Sequence, residues 1–177
     1  MSASLPADSP SLSPLTRADC AAVASLARTI WLAHYTSFVS RAQIEYMLER
    51  RFTPENLARY IDANDRWMHL LRVAGEPVGY LGYTLTAAPR EMKLEQLYLL
   101  PELHGRGLGK LMMARVERHA RALDCDTLML QVNKQNTVAT RMYFASGFSV
   151  RSEAVIDIGN GYVMDDYILE KRLGSAV

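Results

Sequence analysis

The sequence predicts an α/β fold, with one mixed sheet of about six to seven strands flanked by helices in three layers. Three observations predict it. Helical periodicity fills residues 17–63, strand-like runs follow, and two helical segments then alternate with strands from residue 107 onward. Hairpin signals supply antiparallel pairs and a strand–helix–strand unit supplies a parallel pair, so the sheet is mixed. The 177 residues suit one domain, expected at 12–177 behind a mobile tail at 1–11.

The elements follow in order. Met1 to Ser11 is rich in Ser and Pro, as mobile tails are. Leu12 to Leu15 is a short first strand. Thr16 and Asp19 have capping-box spacing with Asp in place of Glu, and a helix is expected from Arg17 to His34 on Val23, Leu26, Ala27, Ile30 and Ala33. A second helix spans Arg41 to Arg51, with Ile44, Met47 and Leu48 on one face. Thr53-Pro54-Glu55 starts a third that reaches toward Ala63. Trp67 to Val73 and Val78 to Leu85 form a hairpin around Ala74-Gly75-Glu76-Pro77, and Lys93 to Leu100 is the next strand. A helix from Gly107 to Leu123 buries Leu108, Met112, Val116, Ala120 and Leu123. Thr127 to Val132 is a strand. Thr137 to Ser146 is a helix with Gly147 as its left-handed cap, and Ser149 to Ile158 pairs with Val163 to Lys171 around Asn160-Gly161.

Composition excludes several classes. Hydrophobic residues make up 49% and charged residues 22%, which argues against disorder. With 20 Lys+Arg against 19 Asp+Glu, no bulk attraction to nucleic acid or an anionic membrane follows. Cys20 and Cys125 form no CxxC, and His34, His69, His104 and His119 are scattered, so no metal spacing appears and two free thiols are expected. The N-terminus lacks the pattern of a secretory signal, and no apolar run approaches the roughly 18–20 residues of a membrane span. The expectation is a soluble, cytoplasmic protein.

The chemistry is concentrated in Leu99-Leu100-Pro101-Glu102-Leu103-His104-Gly105-Arg106-Gly107-Leu108-Gly109-Lys110. Glycines at alternate positions join a strand to an amphipathic helix, so backbone N–H groups and the helix N-terminus can approach a phosphate closely. A Walker loop would need Gly at position 104 and Ser or Thr at 111, where the chain has His104 and Leu111. A dinucleotide loop beginning at Gly105 and Gly107 would meet Lys110 where it needs Gly. The pattern that fits is (Gln/Arg)-x-x-Gly-x-Gly, with Gly107 and Gly109 in place and His104 at the first position. The stretch resembles the pyrophosphate loop of the GNAT superfamily of N-acetyltransferases.

A second segment carries the resemblance further. Leu128-Met129-Leu130-Gln131-Val132-Asn133, then Asn136, Ala139, Tyr143 and Gly147-Phe148, are similar to that family's following strand, helix and Tyr-x-x-x-Gly-Phe segment. Asn136, Ala139 or Thr140, and Tyr143 share one helical face. The resemblance covers about residues 67–172. It implies a three-layer GNAT-like fold with acetyl-CoA as cofactor, bound by Leu97, Leu99, His104, Gly105, Arg106, Gly107, Leu108, Gly109, Lys110, Asn136, Ala139 and Tyr143. It also implies an oxyanion donor in the backbone near Leu99 and a proton donor in Tyr143. Glu95, on a strand face with Glu91, Lys93, Leu97 and Leu99, matches an acid found in the spermidine/spermine acetyltransferases. It serves either as the base, through water, or as an anchor for a cationic amine.

The expected activity is therefore acetyl transfer from acetyl-CoA to a primary amine of a small molecule, by direct transfer in a ternary complex, with polyamines the leading acceptor class. Trp31, His34, Tyr35, Tyr46 and Met47 make the N-terminal helices aromatic, either as an acceptor pocket or as core. Asp165 and Asp166 either attract a polyamine or, for at least one, face water, because strand neighbours point to opposite faces. Acetylation of a protein N-terminus or lysine, or a non-catalytic acyl-CoA-binding module, are the alternatives. A homodimer is a family-based expectation, and neither nucleic acid nor membrane is expected as a partner.

Overall fold

The computed structural model describes residues 9–174. The expected tail lies mostly outside them. Strands β1 (Ser11–Pro14), β2 (Arg66–Val73), β3 (Glu76–Leu85), β4 (Glu91–Leu99), β5 (Thr127–Asn133), β6 (Ser149–Gly159) and β7 (Tyr162–Arg172) form one seven-stranded sheet in the order β1-β2-β3-β4-β5-β7-β6. The helices are α1 (Cys20–Tyr35), α2 (Arg41–Arg51), α3 (Pro54–Ala58), α4 (Leu108–Ala122) and α5 (Thr137–Ala145). β4 pairs with β5 in parallel, while β5 with β7 and β6 with β7 are antiparallel, so the sheet is mixed as expected. The chain divides into two compact units, Met1–Gly82 with Gln96–Met113 and Tyr83–Glu95 with Ala114–Val177.

In the first unit, Val23, Leu26, Ala27, Ile30 and Trp31 form the buried stripe of α1, and Ile44, Met47 and Leu48 that of α2. The capping box at Thr16 opens a short 3₁₀ turn, Arg17–Asp19, rather than α1 itself. Asp19 accepts from Thr16 N at 3.0 Å and Thr16 Oγ1 at 2.7 Å, and pairs with Arg72 of β2 at 2.5 Å. The third helix ends at Ala58, well short of Ala63. Its carbonyls are taken early by i→i+3 bonds (Tyr60 N to Leu57 O, Ile61 N to Ala58 O), and Asp62 then adopts φ 58°, which no helix continues through. Trp31 Nε1 donates to the Tyr80 hydroxyl of β3 at 2.9 Å, fixing α1 on the Tyr80 face. Burial pushes the Tyr80 phenol well above its ordinary range, so it stays neutral and accepts that bond.

In the second unit, α4 buries Val116 and Ala120, but Leu123 is exposed, against expectation. Asp124 takes the left-handed cap at φ 57° and Cys125 N bonds back to Ala120 O, so the chain leaves the helix one residue earlier than the apolar spacing implies. Tyr83 of β3 meets His119 Nδ1 at 3.0 Å, with its phenol pushed up to about 12 by burial. Asn160 and Gly161 both have positive φ, the geometry of the two-residue hairpin turn that the Asn-Gly pair predicts. Cys20 and Cys125 are free thiols, as expected.

Gly79 sets the spacing between β3 and β4. A Cβ there would lie 2.6 Å from the Tyr98 carbonyl oxygen, which is backbone and cannot swing aside. Gly79→Ala should therefore destabilise the protein by about 1–3 kcal/mol, read as a lower urea midpoint with an unchanged m-value. A wild-type midpoint would show slack between β3 and β4 at this point.

Candidate active site

Thr86 N bonds to Glu91 O and Leu100 N to Val78 O, so residue numbers fall along β3 as they rise along β4 and the two strands are antiparallel. Glu91 and Leu100 both turn to β3, so the alternation of backbone groups along β4 slips once between them, ahead of Tyr98, whose carbonyl faces Gly79 of β3. Since Leu100 N–H points at β3, the N–H and C=O groups of Leu97 and Leu99 point to the edge away from it. Among the described residues the parallel ladder on that edge runs from Glu91↔Thr127 to Leu94↔Leu130, while β4 continues to Leu99. Leu97 thus offers its N–H and C=O, and Leu99 its N–H, beyond the ladder's end.

The chain then makes one 3₁₀ turn, Pro101–Leu103, and enters the glycine loop. Gly105 and Gly107 sit at φ 78° and 80°, conformations that a side chain resists. Gly109 has ordinary backbone angles, and a Cβ at 105, 107 or 109 would meet nothing within 4 Å. Leu111 N bonds to Gly107 O at 3.1 Å, closing the first turn of α4. The N–H groups of Leu108, Gly109 and Lys110 therefore have no intrahelical acceptor and crown a 15-residue helix. Leu108 is buried and anchors the turn, while Arg106 and Lys110 are exposed. His104 lies 3.1 Å from the Leu99 carbonyl through Nε2, so its ring N–H donates back to the end of β4. The side chain at the one position that departs from the family pattern clasps the loop to the strand.

The second unit holds the other expected residues. Asn136 caps α5, its Oδ1 accepting from Ala139 N at 3.2 Å, so only the donor end of its amide lies outside the cap. Asn136, Thr140 and Tyr143 are buried and Ala139 half-buried, as their shared helical face predicts. Gly147 at φ 90° ends α5, Phe148 N bonds to Tyr143 O at 3.1 Å, and the two rings meet edge-on at 5.6 Å. The Gly-Phe pair thereby fixes the tyrosine's place.

Of the carboxylates and the lysine along β4, two are structural. Glu91 is buried between Thr86 Oγ1 at 2.9 Å and Arg151 Nη2 at 2.6 Å, and Lys93 Nζ donates to Gln131 Oε1 at 2.6 Å. Glu95 is exposed. Asp165 is exposed and bonds Lys134 at 2.7 Å, whereas Asp166 is buried, which separates the pair by face as strand alternation requires.

Aromatic residues of the first unit assemble around Trp31. Tyr35, Phe52 and Tyr98 pack on it at ring separations of 5.3, 5.5 and 5.6 Å, and Tyr80 stacks on Tyr98 at 5.2 Å. The Tyr35 and Tyr98 hydroxyls meet at 2.7 Å and are only part-buried. Tyr46 lies beneath Arg50, its ring 5.1 Å from the guanidinium. The sequence reading missed Tyr80, Tyr98 and Gln96, although even-numbered alternation along β3 and β4 carries the signal. Gln96 interrupts the apolar row Met92, Leu94, Tyr98 and is nonetheless buried.

Comparison with known proteins decides the family. A model described as the acetyltransferase (GNAT) family matches residues 27–148. The chain belongs to the GNAT acetyltransferase family. The enzyme is thus an acyltransferase, an N-acetyltransferase with acetyl-CoA as donor. It is 30% identical over 133 residues to an uncharacterized N-acetyltransferase of Mycobacterium bovis, covering 68% of this chain and 84% of that one. It is 24% identical over 161 residues to spermidine N(1)-acetyltransferase of Thermoplasma acidophilum, covering 89% and 93%. Among solved structures, it resembles the PaiA N-acetyltransferase of Thermoplasma acidophilum, determined with coenzyme A, with a TM-score of 0.79 at 23% identity over 93% of this chain and 99% of that one. Among the described residues, no helix of this acetyltransferase is long and apolar enough to cross a membrane.

The loop glycines differ in what they require. Gly107→Ala forces a side chain into the left-handed region and should cost about 1–2 kcal/mol, whereas Gly109→Ala enters open space at helical angles and should cost nothing or stabilise slightly. Urea unfolding of the two variants reads the difference, and equal midpoints would refute it.

Proposed function

We propose that this GNAT enzyme acetylates a primary amine of a small molecule by direct transfer in a ternary complex, with a polyamine-type amine as acceptor. The observation that carries the reading is the glycine loop opening α4 directly after the Leu97–Leu99 edge of β4. The loop fits a pyrophosphate: three glycines leave the space a Cβ would fill, and helix N-terminal N–H groups stand behind them. Gly105 to Lys110 would hold the diphosphate through backbone, with Arg106 and Lys110 adding charge, and Leu97 and Leu99 would hold the pantetheine arm through their edge groups. Asn136, Ala139 and Tyr143 belong to the same proposal on the α5 face. His104 contributes by keeping the loop tied to Leu99.

Bound acetyl-CoA supplies an acetyl thioester whose carbonyl carbon receives the amine and whose sulfur departs. The chain's residues then have distinct tasks. An alkylammonium has a pKa near 10.4 and must lose a proton before it attacks. Glu95, exposed and carboxylate-bearing, takes that proton through water or holds the cation in place. The Leu99 N–H, preoriented on the strand edge, donates to the oxygen that gains charge. Tyr143 donates its phenolic proton to the departing sulfur, a phenol of pKa near 10 remaining protonated until then. The spermidine acetyltransferase relative and the exposed Glu95 support the acceptor class. A single acetyltransferase domain at 12–177, a cytoplasmic setting and a homodimer belong to the same reading, the last checked by sedimentation.

Thiol release measured over a panel of amines and peptides tests the reading. Release with polyamines supports it, and release with peptides alone would transfer the activity to a protein substrate. Gly109→Val should leave stability almost unchanged yet raise the acetyl-CoA dissociation constant about tenfold or more. Unchanged affinity by calorimetry would remove the loop from the site.

Tyr143→Phe keeps the ring packed against Phe148 and should lower kcat on the order of 100-fold with little change in acetyl-CoA affinity. A Phe variant with full kcat would make Tyr143 a packing residue. Glu95→Gln should lose rate in a way that shrinks as pH rises and more amine is already neutral. A loss confined to KM for cationic amines would make Glu95 an anchor instead.

A further inference from the structure

His104 stands where the GNAT loop pattern carries Gln or Arg, and the difference is one of available hydrogens. Its Nε2 lies 3.1 Å from the Leu99 carbonyl oxygen, which can only accept, so Nε2 carries the hydrogen. The next N–H, that of Leu100, donates to Val78 O at 2.9 Å, so the Leu99–Leu100 peptide is held from both sides. A neutral imidazole has a single N–H, and here it is committed to Leu99. Nδ1 is then a bare lone pair. A carboxamide or a guanidinium at this position would keep further N–H donors at any pH, whereas His104 gains one only by taking up a proton.

The place of the ring decides what that proton would meet. His104 is exposed, and its side chain reaches from the glycine loop back to the end of β4. Acetyl-CoA held as proposed above crosses the same interval on the same strand edge, from its diphosphate at Gly105–Lys110 to its pantetheine arm at Leu97. A diphosphate offers acceptors and negative charge and no donor. It repels a bare Nδ1 lone pair, but it accepts a charge-assisted hydrogen bond from the Nδ1–H of an imidazolium. The charged side chains nearest along the chain are Glu102 of the 3₁₀ turn, Arg106 of the loop and Lys110 of α4, all exposed. β4 adds Glu95, while β3 brings the uncharged Val78 and Gly79 to this end. α1, which adjoins the 3₁₀ turn, carries Arg28, held by Glu45 of α2, and His34 and Tyr35 in its last turn. We infer that His104 binds the diphosphate as an imidazolium, Nε2–H to Leu99 O and Nδ1–H to a phosphate oxygen, so that acetyl-CoA binding takes up a proton from solvent. The complex then holds more protons than the free protein, and affinity rises as pH falls. This rests on the cofactor-loop reading and adds its regulation. Attack by the amine needs the opposite, because more of it is neutral as pH rises. Cofactor loading and acyl transfer therefore pull against each other along the pH scale.

The test is calorimetry of the intact chain with dephospho-coenzyme A, which keeps the diphosphate and lacks the phosphomonoester that itself titrates at about pH 6. Wild type should bind about tenfold more tightly at about pH 5.5 than at about pH 7.5. Titrations in buffers of different protonation enthalpy should show net proton uptake between those limits. His104→Gln and His104→Arg, whose donors do not depend on pH in this range, should flatten the affinity profile and abolish the uptake. Either variant suffices if the other fails to fold. Uptake that persists in the variants would give the proton to another group and overturn the inference. Binding by wild type without uptake would also overturn it and leave the loop reading standing. No binding of dephospho-coenzyme A at any pH would overturn both.

Discussion

A β-strand must place its backbone polar groups somewhere, and β4 has more of them than its neighbours take. On one edge β3 is pressed so close that position 79 accepts only glycine. On the other the parallel ladder ends at Leu94, five residues before the strand does. The groups at Leu97 and Leu99 are left in register, rigid and oriented. The glycine loop, the start of α4 and the His104 clasp are all placed by where that strand ends. Any chemistry at this site inherits its precision from a sheet rather than from a flexible loop.

The surrounding residues keep β4 in that position. Arg151 of β6 reaches both Glu91 at the head of β4, at 2.6 Å, and Glu170 of β7, at 2.8 Å. Glu91 is buried, so removing the arginine would strand a charge, and the bridge is best understood as fixing the strand's beginning as Gly79 fixes its end. On α5 the same logic operates locally. The left-handed glycine and the Phe148 contact hold Tyr143 from behind, and the Asn136 cap holds the helix from in front. Lys134 bonds Glu153 and Asp165 just before that helix, and these two partners hold its ammonium well above the ordinary lysine range.

Much of this was legible in the sequence because it depends on local rules. Helical stripes, the Asn-Gly turn, the Gly147 cap and the alternate glycines of the loop each follow from neighbours a few residues away. What was not legible depends on distant partners. Asp62 and Asp124 take left-handed conformations usually left to glycine, so α3 and α4 stop before their apolar spacing suggests. Glu91 shares a strand face with Glu95 in the sequence, and only the fold shows Arg151, sixty residues on, holding it. His104 stands at a ligand-contacting position of the motif, and only the fold shows that its ring also meets the Leu99 carbonyl. Tyr80 and Tyr98 lie far from α1 in the sequence, and the stacked rings with the hydrogen bonds from α1 make them one cluster. For Glu95 and Tyr143 the motif supplied the role, and the fold adds exposure for one and a fixed mount for the other.

The outermost strand has a consequence for how the protein behaves when concentrated. β6 ends the sheet, runs for 11 residues and carries Val155 at 71% exposure, while Val163 of β7 is 54% exposed. A long outer strand with exposed valines is a template for wrongly recruiting another chain. Glu153 and Asp157 flank Val155, and the pairing with β7 is interrupted twice, between Val150 and Ser152 and between Asp157 and Gly159. Charge and local kinks of this kind act as gatekeepers against fibrous assembly. Swapping Glu153 or Asp157 for threonine or valine in pursuit of a better strand would disarm that guard, and the cost would appear as turbidity at high protein concentration rather than as lost activity.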